Sequence, residues 1–143
     1  MSFVNDLTQL VPKAVIAAGT YKGSTNPTNA VIDTFGSESG VLLICNCTAL
    51  TDAQTLSVTL CNNADGTTGA VTLDALLATN PEAVVGSTTA AVFEALAGTG
   101  ITKLQVRAQN YRYVTVTCTG AGGTGAAFSI LAIVGPQNSV NTF

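Results

Sequence analysis

Several short segments of this chain alternate between apolar and polar side chains, which is the pattern of a β-strand with one buried face. In TLSVTLC, residues 55–61, the side chains of Leu56, Val58 and Leu60 share one side, and Thr and Ser occupy the other. Residues 111–119 alternate in the same way. An α-helix repeats every 3.6 residues and cannot hold such a set on one face. The alternation therefore excludes an all-helical fold.

Turn residues separate these segments at regular intervals. Residues 41–48, VLLICNCT, form the strongest strand pattern, and residues 62–69 contain an Asp-Gly pair that is typical of a hairpin turn. We count about six to eight short strands with no regular alternation of helix and strand. The sequence therefore predicts an all-β protein, an antiparallel β-sandwich of jelly-roll-like type.

The predicted core consists of the inward positions of the best-alternating strands. They are Val41, Leu43, Leu56, Val58, Leu60, Val114, Val116, Phe128, Ile130 and Val134. The four cysteines are Cys45, Cys47, Cys61 and Cys118, and none has the CxxC spacing of a zinc or redox site. We expect free thiols that fill the core, with a disulfide or a four-cysteine metal site as the alternatives.

The sequence divides into an N-terminal arm, residues 1–30, and a single sandwich domain, residues 31–143. The arm has apolar residues near helical spacing, then a possible strand at 13–18, then a loop rich in Gly, Ser, Asn and Pro. A short segment cannot bury these side chains by itself, so they must dock on their own domain, on a sister subunit or on another protein. Asp6 and Pro12 do not fit a secretory signal, so we expect synthesis in the cytoplasm.

Residues 70–100 interrupt the strand pattern. Leu73, Leu76 and Leu77 have helical spacing, and a second helix-like piece lies at 90–96. We predict an excursion from the sheets with one or two short helical turns.

Composition restricts the function further. The 143 residues include 5 Lys and Arg, 8 Asp and Glu, no His and no Trp, for a net charge of −3. Nucleic-acid binding requires clustered basic residues, and the longest apolar runs are too short to span a bilayer. Without His, imidazole-based catalysis and His-ligated metals are excluded. We expect no enzyme activity, no cofactor, no nucleic acid and no membrane.

Few residue clusters resemble a chemical site. The carboxylates of the sheet region lie near turns, where they usually cap the backbone. GAGGTG, residues 120–125, lacks the Lys and the following helix of a phosphate-binding loop and is predicted to be a hairpin turn. The cluster Tyr111, Arg112 and Tyr113 has the residue types of a protein interface, and a purely structural role at a strand corner is equally open.

Residues 31–66, VIDTFGSESGVLLICNCTALTDAQTLSVTLCNNADG, together with YRYV at 111–114, a closing apolar strand and Gly135-Pro136, resemble a known family. They are similar to small β-rich structural proteins of tailed bacteriophages, some of which are capsid decoration (cement) proteins. The resemblance covers about residues 30–136. It implies a virion protein on the capsid surface, made in the host cytoplasm, that binds the major capsid protein and has no catalytic residues.

From the resemblance and the apolar arm we expect a homo-oligomer, most simply a trimer. The candidate interface residues are Phe3, Val4, Leu7, Leu10, Val11, Tyr111, Arg112 and Tyr113. Two other functions remain open: a tail-tube, neck or head-completion protein with residues 70–100 as an inserted loop, and a lectin-like ligand-binding module.

Overall fold

The fold is built from two antiparallel β-sheets that pack face to face, as the computed structural model shows. The structure describes residues 11–23, 25–35, 37, 40–85, 95–96, 98–107, 110–120 and 123–135. Its strands are β1 Val11–Tyr21, β2 Ala30–Asp33, β3 Val41–Leu50, β4 Gln54–Cys61, β5 Val71–Thr72, β6 Ala95–Leu96, β7 Gly100–Val106, β8 Tyr113–Gly120 and β9 Ala126–Val134. One α-helix, α1 Leu73–Thr79, and a short 3₁₀ turn, Pro81–Ala83, follow β5.

The strand order is that of a jelly roll. The first sheet has the order β1-β9-β3-β7, and the second has the order β2-β8-β4-β5, with β6 also paired to β4. The pairs are nested, because β1 pairs with β9, β2 with β8, β3 with β7 and β4 with β5. Such nesting arises when one long antiparallel hairpin wraps into two sheets. The predicted fold class is confirmed.

The core lies between the sheets and contains every residue predicted for it. The ten predicted positions are all buried, and Cys45, Cys47 and Cys118 join them. All four cysteines are free thiols, as expected. Burial raises the pKa of Cys45 and that of Cys118 to about 11.

Strand β1 contains the possible strand predicted at residues 13–18, but it is longer and belongs to the sandwich. Residues 11–21, which the sequence assigns to the arm, form an edge strand of the first sheet through their pairing with β9. Two register shifts, between Ala14 and Ile16 and between Ile16 and Gly19, interrupt the alternation of side chains. These shifts weaken the alternating pattern by which a strand is recognised in a sequence. Strand β9, with which β1 pairs, lies more than a hundred residues later in the chain. Residues 1–10 lie outside the described part of the chain.

Residues 71–85 pack against the sandwich. The predicted helical turn is present as α1, whose first turn is capped because the Thr72 hydroxyl accepts a hydrogen bond from the Ala75 amide. Leu73 and Leu77 bury their side chains in the core, and the Ala83 carbonyl accepts from the Arg107 amide. Residues 95–96, predicted within a helix-like piece, form β6 instead. Residues 90–94, the rest of that predicted piece, lie outside the described residues.

Candidate interaction surface

An exposed ion pair marks one end of the second sheet. Asp33 ends β2 and pairs in register with Tyr113, the first residue of β8. This register places Arg112 beside Asp33, and the guanidinium donates from Nε to Oδ1 at 2.9 Å and from Nη2 to Oδ2 at 2.8 Å. The two side chains are 46% and 37% exposed. These hydrogen bonds raise the pKa of Arg112 above its ordinary value.

Two aromatic rings flank this guanidinium. Cζ of Arg112 lies 4.7 Å from the centroid of Phe35 and 5.1 Å from that of Tyr113. The Phe35 residue is 66% exposed, although it is a large apolar residue. Cation–π contacts of this kind hold an arginine in one orientation and leave its outer edge open. We call Asp33, Phe35, Arg112 and Tyr113 the arginine–aromatic cluster.

The backbone beneath the cluster is fixed from three sides. The Arg112 amide donates to Oδ1 of Asn62 at 3.0 Å, and the Arg112 carbonyl accepts from both the amide and the hydroxyl of Thr34. The Phe35 amide donates to Oδ1 of Asp33 at 2.9 Å. A surface whose side chains are already ordered loses less conformational entropy when it binds a partner. The geometry therefore suits protein recognition.

The structure brings together only part of the predicted interface. Arg112 and Tyr113 belong to the cluster, whereas Tyr111 is half-buried and packs against the core. Val11 lies at the start of β1, and Phe3, Val4, Leu7 and Leu10 lie outside the described residues.

Sequence reasoning missed Phe35 and Asp33. Phe35 stands in a turn, outside any alternating strand, and such an isolated aromatic residue is the signal that could have marked it. Its proximity to Arg112, 77 positions later, follows only from the pairing of β2 with β8.

A second surface feature is an aliphatic face on the outside of the first sheet. Residues Leu42 and Ile44 of β3 point away from the core, opposite Ile133 and Leu131 of β9 in register. Leu131 is 37% exposed and the other three are half-buried. The outside of the second sheet differs, because it carries Thr55, Ser57, Thr59, Thr117 and Thr119. The two outer faces of the sandwich are therefore chemically distinct.

The turn carboxylates serve the backbone. Oδ2 of Asp52 accepts from the amides of Thr124 and Gly125, which lowers the pKa of Asp52. Both residues belong to the glycine-rich segment 120–125, so two amides of that segment already donate to Asp52. Asp65 accepts from Thr67 and Thr68, and these bonds lower its pKa to about 2. Both observations agree with a capping role.

Within the described residues, no group of three or more His, Cys, Asp or Glu side chains could hold a metal ion. No helix there has the length and apolar character needed to span a membrane. No family model, curated protein or solved structure matches this chain.

Proposed function

We propose that this protein is a structural protein of a tailed-bacteriophage virion, a capsid decoration (cement) protein. In this proposal it binds the assembled major capsid shell as a homo-oligomer, most simply a trimer, and stabilises the shell by bridging neighbouring capsomers. It acts on the capsid surface after synthesis in the host cytoplasm, without a cofactor, nucleic acid or membrane. The resemblance of residues 31–66 and 111–136 to phage head proteins supports the proposal.

The observation that carries the proposal is the arginine–aromatic cluster. Arginine and tyrosine are enriched among the residues that dominate the binding energy of protein interfaces, and exposed aromatic rings are the usual anchors. Here they are pre-ordered on a jelly-roll sandwich, in which Asp33 forms the ion pair with Arg112 and Asp52 and Asp65 bind turns. Viral capsid proteins use the jelly-roll fold, as do lectins and cupins, so the fold alone does not select among these functions.

Two observations favour this proposal over the alternatives. A tail-tube protein would use residues 70–100 as a projecting loop, whereas Leu73, Leu77 and Ala83 in that region are buried in the core. A lectin-like module without Trp would need a tyrosine platform. The Tyr21 ring packs 5.1 Å from that of Phe128 and its hydroxyl donates to the Ala17 carbonyl, while Tyr111 packs on the core. The third tyrosine, Tyr113, has its ring centroid 5.1 Å from Cζ of Arg112, so the guanidinium already lies against it.

Co-sedimentation with cognate capsids that lack this protein tests the proposal. We expect the wild type to sediment with capsids to saturation, and Phe35→Ser to reduce the bound fraction by about tenfold because it removes a central anchor. Ile101→Ser is the matched control, since Ile101 is 65% exposed on the opposite sheet, against 66% for Phe35. Circular dichroism confirms that each variant is folded. A wild-type protein that stays in the supernatant would refute the proposal.

A further inference from the structure

We propose that the apolar residues 3–10 of this chain cover the aliphatic face of their own sandwich. The face consists of Leu42, Ile44, Leu131 and Ile133, which lie side by side on the outside of the first sheet, with Leu131 37% exposed. Apolar side chains gathered on one outer face indicate that something binds there.

The size of the face suits a short segment better than a second subunit. Neighbouring strands lie about 5 Å apart and side chains on one face about 7 Å apart along a strand, so four residues cover a small area. A stable interface between two proteins buries about 800 Å² on each partner. Beside the four aliphatic residues on the same outer face stand the polar residues Asn46, Lys103 and Gln105, and the exposed Ile101 lies opposite Asn46, one residue pair beyond Ile44 and Lys103. A subunit would cover the three polar residues too, whereas a few apolar side chains match the aliphatic residues alone.

The position of Val11 places the segment at the border of the face. Val11 is opposite Val134 in the register of β1 and β9, and the next residue, Pro12, is opposite Ile133. Ile133 in turn is opposite Leu42. Strands β9 and β3 thus lie about 5 and 10 Å from β1. Leu7 is four residues before Val11 and can reach about 14 Å at full extension, so it can contact both strands.

The composition of the segment complements the face. Residues 3–10 contain four large apolar residues, Phe3, Val4, Leu7 and Leu10, with Asp6 as their one ionisable side chain. Lys103 is exposed beside Ile44, at the margin of the aliphatic face, and offers that carboxylate an opposite charge. The C-terminal segment PQNSVNTF leaves β9 at the same end of the sheet, but it is predominantly polar. The N-terminal segment is therefore the better match.

Residues 3–10 are covalently connected to the sandwich, which favours their binding over that of the same segment from another chain. A tethered group acts at an effective concentration in the millimolar range, so even weak apolar contacts form within one chain before they form between chains. This inference assigns Phe3, Val4, Leu7 and Leu10 to a contact within one chain, in place of the interface between subunits expected from the sequence. It does not depend on the proposed capsid binding, which is measured separately.

A double-mutant cycle tests the contact in the full chain. The cycle combines Leu7→Ser with Leu131→Ser, and the unfolding equilibrium constant is measured in denaturant for each variant and for the pair. Contact predicts a coupling of about fivefold or more, because each substitution removes the partner of the other. Val31→Ser is the control for Leu131→Ser. Val31 is 39% exposed on the outside of the second sheet, and Leu131 is 37% exposed on the first.

The outcomes distinguish the occupants. The proposal is supported if Leu7→Ser and Leu131→Ser are coupled and this coupling does not change with protein concentration. In the control cycle, the effects of Leu7→Ser and Val31→Ser must be additive. Coupling that grows with concentration assigns the contact to a second copy and overturns the same-chain proposal. Additive effects of Leu7→Ser and Leu131→Ser refute the contact altogether. If Leu131→Ser does not fold, Leu131→Ala replaces it in the same cycle with the same expectations.

Discussion

Individual positions on one strand tolerate charge very differently, since neighbouring side chains of a β-strand face opposite environments. Val58 is fully buried in β4, so Val58→Asp places a carboxylate in the core. An unpaired buried charge costs several kcal/mol, against a total stability of about 5–15 kcal/mol. We expect Val58→Asp to abolish cooperative thermal unfolding. Thr55→Asp, on the exposed face of the same strand, should keep a transition close to that of the wild type.

Asp65 makes part of the stability dependent on pH. Its hydrogen bonds lower its pKa to about 2 in the folded protein, below the ordinary value for aspartate of about 4. A lowered pKa stabilises the fold above pH 4, and this contribution is lost as the pH falls towards 2. Asp65→Asn should therefore be less stable than the wild type at pH 7, and the difference should shrink at pH 2. Denaturant unfolding at both pH values measures it. A constant difference would contradict the role of the ionised carboxylate.

The buried thiols should be chemically silent in the folded protein. With the pKa of Cys45 and of Cys118 near 11, very little reactive thiolate exists at pH 7. We expect a thiol reagent to label these residues only on unfolding, and a reductant to leave the melting temperature unchanged because no disulfide is present. A drop of many degrees on reduction would indicate a disulfide of about 2–4 kcal/mol.

The sequence predicts residues best where a simple period governs them. The core positions follow from alternation, since each strand turns one face inward. Phe35 and Asp33 do not follow, because their contact with Arg112 depends on pairing between strands about 80 residues apart. The sequence shows that Arg112 and Tyr113 have the residue types of an interface, but it does not show which residues lie beside them in the fold.

Turns at the ends of strands fix the geometry of whole elements. Gly40, before β3, has φ +75°, and a Cβ atom there would lie 1.9 Å from the Val106 carbonyl oxygen. Gly69 has a similar φ of +69° with open space around it. We expect Gly69→Ala to cost about 1–2 kcal/mol, which is the conformational penalty alone. Gly40→Ala should cost about 3 kcal/mol or more, because backbone must also move. Equal losses in denaturant unfolding would contradict the close approach of β3 and β7.

Elements are predictable where local pattern and pairing agree. Strands β4 and β8 alternate cleanly and pair along their whole length, so the sequence identifies both. Strand β1 has two register shifts and gains its pairing from β9 at the other end of the chain. Its assignment to an arm shows the limit of local signals, since a bulged edge strand has no simple period.

In the whole molecule, the nested topology gives the two outer faces different side-chain chemistry. One face is threonine-rich, the other aliphatic, and the arginine–aromatic cluster lies at the end where β2 leads through a short turn into β3. The sequence predicts the sandwich but not this separation, because which strands share a sheet is decided by long-range pairing. The distinction between the faces therefore emerges only from the assembled fold.

Because the whole chain carries few charges, we expect the proposed capsid binding to depend little on salt concentration. Thirteen ionisable acidic and basic side chains in 143 residues leave mostly neutral surface, and the Arg112 charge is already paired with Asp33. Attraction between exposed charges is screened beyond about 8–10 Å at physiological salt and beyond about 3 Å at 1 M. Binding through aromatic and neutral polar contacts should therefore change less than about threefold between roughly 0.05 and 0.5 M NaCl. Co-sedimentation titrations at both salt concentrations measure it. A loss of binding of more than tenfold in high salt would show that charge attraction dominates, which the composition does not support.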